Sequence, residues 1–227
     1  MSKKTLIIDC DGVLYPASEL TLKDFVEAMK STYREDLKVS SEVQERVSNE
    51  TLAKKHLGMF NYINAICKET EYNFDEFCNK MFDRVDYSKI SKDIALFNLL
   101  CAETKKNDVL ILTNNHIVHL NKVLQQRFGK NIFEMQEAGI KCFDIKSTMK
   151  NGVFYPKQDP KALTLFADRL GVAVEDCVLI DDTKRNIDAA KSVGMQTVLI
   201  DDNFTLKQYL AQTHPSNTII KTGKENE

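Results

Sequence analysis

Short apolar runs of strand length recur along the chain, and most of them are separated by segments with helical periodicity. The apolar runs are residues 5–8, 109–112, 140–143, 178–180 and 197–200. The helical segments are residues 117–128, 160–170 and 184–193, and each is followed by a glycine, the residue that most often ends a helix in a left-handed turn. This alternation predicts an α/β fold with a doubly wound, Rossmann-like, mostly parallel sheet covered by helices on both faces.

One long stretch breaks the alternation. Between the first two strands, residues 17 to about 85 carry helical patterns only, over 22–33, 43–56, 59–67 and 74–85, with Ser40 and Asn73 placed as N-caps. An all-helical block in this position predicts a cap domain inserted into the core. We expect residues 1–16 and 87–220 to form the α/β core, 17–86 the helical cap and 221–227 a polar tail. The alternative is a single large α/β domain with additional helices.

Charge and composition limit the classes of partner. The chain has 31 basic and 33 acidic residues, so no basic excess favours binding to a nucleic acid polymer or to an anionic membrane. No apolar run reaches the length of a membrane span, and the first one is too short for a signal peptide. The six cysteines are scattered without a Cys-x-x-Cys pair, which is typical of reduced thiols. We therefore expect a cytoplasmic protein, while export without a cleavable signal and the oligomeric state stay open.

Acidic residues stand at the ends of two predicted strands. Asp9 and Asp11 follow the first strand, and Asp181 and Asp182 follow the strand at 178–180. Ligands of open α/β sheets bind beyond the carboxyl ends of the strands, so we expect the two pairs to lie close together. Four neighbouring carboxylates repel one another unless a cation lies among them, and ligands made of oxygen alone favour Mg²⁺ over zinc. The alternative for the first pair is a plain acidic turn, because Asp-Gly is a common turn sequence.

Two further polar features belong to the same predicted edge. Thr113, Asn114 and Asn115 follow the strand at 109–112 and bring a hydroxyl, amides and backbone N–H groups beside the acids, although Thr-Asn after a strand is also a common helix cap. Lys157 comes shortly before the predicted helix that begins at residue 160. A lone lysine is usually a solvated surface charge, so its meaning depends on the residues around it.

The order Asp-x-Asp, Thr, Lys and Asp-Asp resembles the four motifs of the haloacid dehalogenase-like superfamily. Residues 157–163 resemble its Lys-Pro-x-Pro segment, with Gln158 in place of the first proline, and residues 179–195 resemble the fourth motif and its helix almost throughout. The resemblance covers residues 5 to about 201. Individually only the fourth motif is specific, but the four together are highly specific.

This resemblance implies the roles of five residues in catalysis. Asp9 would be the nucleophile that forms an aspartyl-phosphate, and Asp11 would be the general acid that protonates the leaving alkoxide and then the base that activates water. Thr113 and the backbone N–H of Asn114 would bind the phosphoryl oxygens, and Lys157 would neutralise the nucleophile and the phosphoryl charge. A free aspartic acid titrates near ~3.9, so we expect a raised pKa for Asp11 if it acts as an acid near neutrality.

The same resemblance implies the cofactor and the class of reaction. Magnesium would be held by the carboxylate of Asp9, the main-chain carbonyl of Asp11 and the carboxylate of Asp182, with Asp181 behind these ligands. Dehalogenase members lack an aspartate at the position of Asp11, which disfavours carbon–halogen cleavage. We therefore expect a magnesium-dependent phosphatase that acts on a phosphate monoester.

The position of the predicted cap, between the first and second motifs, is that of a type-one (C1) cap. Together with Tyr15-Pro16 and the Leu-Thr-Asn at residues 112–114, it resembles the pyrimidine 5′-nucleotidase-like branch. The expected substrate is thus a small metabolite such as a nucleoside 5′-monophosphate. A phosphoprotein (phosphotyrosine) phosphatase and an inactive member kept as a binding module are the alternatives. A receiver domain is disfavoured, because receivers are about half this length and carry a single phospho-accepting aspartate in mid-chain.

Overall fold

Five parallel strands form the central sheet in the computed structural model, which describes residues 3–53 and 58–213. The strands, in chain order, are β1 (Thr5–Ile8), β2 (Asp108–Leu112), β3 (Ile140–Phe143), β4 (Met149–Lys150), β5 (Val153–Phe154), β6 (Cys177–Asp181) and β7 (Gln196–Leu199). The sheet order is β3-β2-β1-β6-β7, while β4 and β5 pair with each other as a separate antiparallel hairpin. The predicted α/β class is confirmed, and each predicted strand of the sheet is present within one residue of its expected bounds.

Helices cover both faces of the sheet. They are α1 (Leu22–Thr32), α2 (Ser41–Ala53), α3 (Met59–Glu69), α4 (Phe74–Asp83), α5 (Ile94–Glu103), α6 (Ile117–Phe128), α7 (Ile132–Glu137), α8 (Pro160–Leu170), α9 (Lys184–Ser192) and α10 (Leu206–Thr213). The predicted glycine stops of α6 and α8 are confirmed, since Gly129 and Gly171 adopt left-handed φ values of 66° and 69°. Within residues 3–53 and 58–213, each helix is too short or too polar to cross a lipid bilayer.

The two faces of the sheet bury alternate side chains of each strand, as the two-residue period of a strand requires. On β1, Ile7 packs in one buried cluster with Phe166 of α8 and Ala190 of α9. Its neighbour Ile8 belongs to the cluster on the opposite face, together with Leu124 of α6. Burial of each large aliphatic side chain stabilises the fold by about 1.5–3 kcal/mol, so this double-sided core fixes the register of the central strands.

The segment between β1 and β2 is helical, as predicted. Helix α1 continues into a turn of π-helix at Tyr33–Leu37, and the helix predicted at residues 43–56 is observed as Ser41–Ala53, with residues 54–56 outside the described part of the chain. The apolar side chains of α1, α3 and α4 belong to the same buried cluster as the sheet side chains of Ile8 and Leu124. The boundaries of a cap at 17–86 stay a prediction, and the predicted tail at 221–227 lies outside the described residues.

The inserted helices are docked on the β4–β5 hairpin. The side-chain amide of Asn61, on α3, donates to the backbone oxygen of Phe154 at 2.8 Å and accepts from its backbone N–H at 2.9 Å. The ring of Phe74, at the start of α4, stacks on the ring of Phe154 with centroids 5.2 Å apart. Because β5 leads directly to residues 155–157, these contacts tie the insertion to the segment that carries Lys157.

Candidate active site

Three neighbouring strands bring the predicted site residues to one edge of the sheet. Asp9 follows β1, Thr113 follows β2, and Asp181 ends β6. The carboxyl ends of these parallel strands lie side by side because β1 pairs with both β2 and β6. All three residues are buried, so the base of the site lies below the protein surface.

Lys157 is buried at the centre of this edge. Its ammonium nitrogen lies 2.5 Å from Oδ1 of Asp9, 3.0 Å from Oδ2 of Asp181 and 3.0 Å from the backbone oxygen of Leu112. Burial alone lowers the pKa of Lys157, but the negative charges of Asp181 and Asp9 outweigh it and raise the pKa above its ordinary value. An ammonium group has three hydrogens, and three protein acceptors surround this one. The contacts of Lys157 with Asp9, Asp181 and Leu112 therefore match the hydrogens of its ammonium group in number.

Asn114 holds the backbone of this lysine. Its side-chain oxygen accepts a hydrogen bond from the backbone N–H of Lys157 at 2.8 Å. The family resemblance implies that the backbone N–H of Asn114 is a phosphate ligand. Its side chain has a second role that the sequence did not indicate, since it fixes the loop that carries the buried ammonium group.

Three carboxylates gather beside Lys157. One oxygen each of Asp9, Asp181 and Asp182 lies within 4.8 Å of the others. Burial and the charge of Asp181 raise the pKa of Asp9 well above its ordinary value, and burial raises the pKa of Asp182. Lys157 balances only one of the three negative charges. A hard divalent cation that prefers oxygen ligands fits this set of donors.

The loop after β1 has a glycine where Asp182 approaches. Gly12 has a φ of +75°, and a Cβ atom there would lie 2.0 Å from Oδ2 of Asp182. In contrast, Asp181 is anchored inside the protein, with Oδ1 accepting from the backbone N–H of Thr183 and from the side chain of Asn186, both at 2.9 Å. The two adjacent acids thus differ: Asp182 lines the cavity, and Asp181 supports the buried lysine. This difference is what a metal ligand and a residue behind it require.

Asp11 has hydrogen-bond donors on both carboxylate oxygens. Oδ2 lies 2.9 Å from the side-chain nitrogen of Asn115 and 3.3 Å from the hydroxyl of Thr113. Oδ1 lies 2.8 Å from Nε2 of His119 and accepts a short hydrogen bond from the hydroxyl of Tyr15. This set of contacts favours the ionised carboxylate, which can accept from all four groups, whereas a protonated carboxyl group would turn one acceptor into a donor.

The pKa of Asp11 therefore differs from our expectation. Burial alone raises it, but electrostatic attraction to His119 and hydrogen bonds from His119, Tyr15 and Asn115 hold the pKa well below its usual range. The expectation of a raised pKa is wrong for this arrangement. Asp11 is ready to accept a proton, and it has to give up one of these donors before it can deliver one.

Three residues of the network around Asp11 had no role assigned from the sequence, whereas Asn115 belongs to the predicted polar stretch after β2. The three are Tyr15, Tyr87 and His119. The position of His119 is a signal that could have been used, because it lies in the first turn of the helix that follows Thr113. Tyr87 carries no such signal, since it reaches His119 across 32 residues of sequence.

The site opens into a cavity of about 450 Å³ between the sheet edge and the inserted helices. The carboxylates of Asp9, Asp11 and Asp182 lie on one side of it, and Phe25 and Met59 of the insertion lie on the other. A second cavity of about 190 Å³ shares Met59 and both asparagines of the β2 loop, and is closed by Phe154, Pro156 and Gln158. The two cavities together give room for a phosphate and a small leaving group.

Comparisons with known proteins agree with this geometry. A family model described as haloacid dehalogenase-like hydrolase matches residues 3–194. Among solved structures, the HAD family enzyme bt-2542 from Bacteroides thetaiotaomicron is similar, with a TM-score of 0.53 and 17% identity over 88% of this chain and 95% of that chain. It has also been crystallised in complex with magnesium and inorganic phosphate.

Two further solved structures have the same fold. CbbY from Rhodobacter sphaeroides, in complex with phosphate, gives a TM-score of 0.54 and 14% identity over 90% of this chain and 89% of that chain. A HAD hydrolase of family IA, variant 3, from Entamoeba histolytica gives a TM-score of 0.50 and 19% identity over 92% and 88%. At these identities the likeness concerns the fold alone.

Proposed function

Since this chain belongs to the haloacid dehalogenase-like hydrolases, we propose that it is a magnesium-dependent phosphatase that hydrolyses a phosphate monoester through an aspartyl-phosphate on Asp9. One observation carries the proposal: Lys157 is buried between Asp9 and Asp181, next to Asp182, at the carboxyl ends of adjacent strands. This is a pre-organised cluster of charges of the kind that phosphoryl transfer requires.

The cofactor is Mg²⁺. The donor set around Asp9 supports it, and so do the magnesium and phosphate complexes of the bt-2542 enzyme. The carboxylates of Asp9 and Asp182 and the main-chain carbonyl of Asp11 would hold the ion. When bound, it supplies positive charge to the phosphoryl oxygens and orients the ester.

Asp9 is positioned to attack with one oxygen. Oδ1 accepts from the backbone N–H of Cys10 at 2.6 Å and from Lys157 at 2.5 Å. From residues 3–53 and 58–213, no hydrogen bond or ion pair reaches Oδ2. Oδ2 therefore attacks phosphorus, and the bond from phosphorus to the ester oxygen breaks. The positive charge of Lys157 favours the ionised form of Asp9 and opposes the larger effect of burial on its pKa.

Asp11 moves the protons of the two half-reactions. It first takes up a proton, which the monoanion of the phosphate ester supplies, and gives up one of its hydrogen-bond donors. It then passes this proton to the departing ester oxygen, and the leaving group is released as an alcohol. It then takes a proton from a water molecule that attacks the phosphorus of the aspartyl-phosphate, which releases inorganic phosphate and restores the Asp9 carboxylate. Thr113 and the backbone N–H of Asn114 bind the phosphoryl oxygens in both steps.

The first test is hydrolysis of p-nitrophenyl phosphate by the purified protein with MgCl₂. We expect EDTA to abolish turnover, and we expect Asp9→Asn to leave no measurable rate while circular dichroism and thermal unfolding stay close to those of the wild type. Asp108→Asn is the control, because Asp108 lies at the amino end of β2, on the opposite edge of the sheet, and pairs with Lys3 on the surface. Turnover that persists in Asp9→Asn would show that the nucleophile is another residue.

For the substrate we propose a small metabolite such as a nucleoside 5′-monophosphate, with the inserted helices acting as a type-one cap. The resemblance to the pyrimidine 5′-nucleotidase-like branch and the size of the two cavities support this choice. The six free cysteines are in keeping with a reaction in the cytoplasm. The test is a comparison of kcat/KM for nucleotides, sugar phosphates and phosphotyrosine peptides. A preference for the peptides would favour a phosphoprotein phosphatase, and the absence of turnover on every ester would favour a binding module.

A further inference from the structure

Both segments that join the inserted helices to the sheet carry a tyrosine that belongs to the hydrogen-bond network of Asp11. Tyr15 lies in the outgoing segment after β1, and its hydroxyl donates to Oδ1 of Asp11. Tyr87 lies in the returning segment before α5, and its hydroxyl lies 2.9 Å from Nδ1 of His119. Nε2 of the same imidazole lies 2.8 Å from Oδ1 of Asp11. The network therefore spans the whole junction between the insertion and the sheet.

Two contacts orient the imidazole of His119. An ionised Asp11 carboxylate can only accept, so its contact with Nε2 needs a hydrogen on that nitrogen. Nδ1, on the other side of the ring, lies 2.9 Å from the hydroxyl of Tyr87. Tyr87 and Asp11 together therefore fix the plane and the direction of the ring.

The ring of His119 is enclosed by the insertion. His119 belongs to α6 of the core and is fully buried. Its ring centroid lies 5.2 Å from the ring of Phe25 on α1, 5.2 Å from Phe82 on α4 and 5.6 Å from Tyr87. All three neighbours belong to the inserted helices or to their returning segment. The place of the imidazole therefore depends on how these helices are docked.

We propose that His119 is a positioning residue that couples the docked inserted helices to the orientation of Asp11, a role that rests on the proposed phosphatase reaction. His119 and Tyr15 together hold Oδ1. Oδ2 is then the oxygen directed at the phosphate, because it lies beside Thr113, the phosphate ligand, and Asn115, which lines both cavities. Oδ2 is therefore the oxygen that delivers the proton to the leaving group.

This role has a kinetic signature that a purely structural role lacks. Loss of positioning impairs proton transfer to the leaving group, which matters when the leaving oxygen is basic and little when it is not. The value of kcat/KM reports the steps up to formation of the aspartyl-phosphate, so the later water step does not obscure the comparison. Phenyl phosphate and p-nitrophenyl phosphate have similar shapes but leaving groups of different basicity. The ratio of their kcat/KM values is therefore the quantity to measure.

The experiment uses the full chain with MgCl₂ and four variants. We expect His119→Leu to lower the phenyl to p-nitrophenyl ratio by about tenfold or more, the scale of a misplaced catalytic group. His119→Gln keeps a donor at the reach of Nε2 and should restore the ratio to within about threefold of the wild type. Tyr87→Phe removes a single hydroxyl and should lower the ratio in the same direction. Tyr33→Phe is the control, since its buried hydroxyl contacts no hydrogen-bond partner in the described part of the chain.

The outcomes separate the two proposals. A wild-type protein that does not hydrolyse p-nitrophenyl phosphate would overturn the phosphatase itself, before any variant is compared. An active wild type whose ratio is unchanged in His119→Leu and Tyr87→Phe, or that loses both substrates equally, would overturn the positioning role alone. If His119→Leu does not fold, Tyr87→Phe decides, because it leaves the imidazole in the core.

Discussion

A single methyl group at Gly12 should damage the metal site without replacing any of its ligand residues. The Cβ of Gly12→Ala would lie 2.0 Å from Oδ2 of Asp182 and 2.6 Å from its carboxyl carbon. Gly171 is a matched control, since it has a similar left-handed φ of +69° but nothing lies within 4 Å of its Cβ position. The two substitutions share the backbone strain and differ in the contact with the carboxylate.

The size of the effect follows from this contact. A Cβ atom does not approach an oxygen closer than 3.0 Å, so Oδ2 of Asp182 has to move by about 1 Å. Bonds from magnesium to oxygen tolerate only about 0.2 Å. We therefore expect the Mg²⁺ concentration for half-maximal activity to rise about 10- to 100-fold, which corresponds to about 1.4–2.8 kcal/mol. The left-handed backbone costs each variant about 1–2 kcal/mol of stability.

The assay is p-nitrophenyl phosphate turnover as a function of MgCl₂ for the wild type, Gly12→Ala and Gly171→Ala, with thermal unfolding in EDTA measured in parallel. Both variants should melt about 2–8 °C below the wild type, since about 1 kcal/mol corresponds to about 2–4 °C in a chain of this size. Only Gly12→Ala should need more magnesium. Equal magnesium dependence in two folded variants would refute the placement of Asp182 as a metal ligand.

Three further predictions concern single side chains. Asp11→Asn should lower kcat/KM for phenyl phosphate about 10²-fold more than for p-nitrophenyl phosphate, and equal losses would exclude a role as general acid. Asp182→Ala should raise the magnesium requirement at least as much as Gly12→Ala does, whereas Asp188→Ala, which removes an exposed carboxylate on α9, should not. Burial lowers the pKa of His116 below its unfolded value of about 6.5, so the neutral ring contributes to the free energy of unfolding above that pH, and this contribution is lost as pH falls through the folded pKa. His116→Asn keeps an N-cap for α6 and removes the titrating ring. The free energy of unfolding in urea should therefore fall less between about pH 7 and 5 in this variant, and a fall equal to that of the wild type would contradict the prediction.

The strands and helices of the core could be predicted because their signals are local. Helix α6 begins and ends at Ile117 and Phe128, as the sequence predicts, because its apolar period and its glycine stop lie within one short segment. The docking of the insertion has no such signal. The two hydrogen bonds between Asn61 and Phe154 join residues 93 positions apart, and neither residue is unusual in its own segment.

That the predicted site residues lie together could be foreseen from the sequence, and their electrostatics less so. Acids at strand ends have to meet in a parallel sheet, so Asp9 and Asp181 could be placed together from their positions alone. The burial of Lys157 has no periodic signal, and only the family pattern distinguished it from a surface charge. We expected a raised pKa for Asp11, but hydrogen bonding and the charge of His119 lower it more than burial raises it. Three of the four groups that contact its carboxylate are more than 100 residues away along the chain.

The positioning role of His119 joins substrate choice to catalysis. In the proposed reaction the motifs of the sheet edge bind only the phosphoryl group and the metal, which all substrates share, so they would not discriminate between leaving groups. The inserted helices line the rest of the cavity and also enclose His119. A leaving group that keeps these helices from docking would remove the packing that holds His119 against Asp11. Such a substrate is then turned over slowly even when its phosphate is bound. The enzyme therefore discriminates against it through a lower kcat as well as through a higher KM.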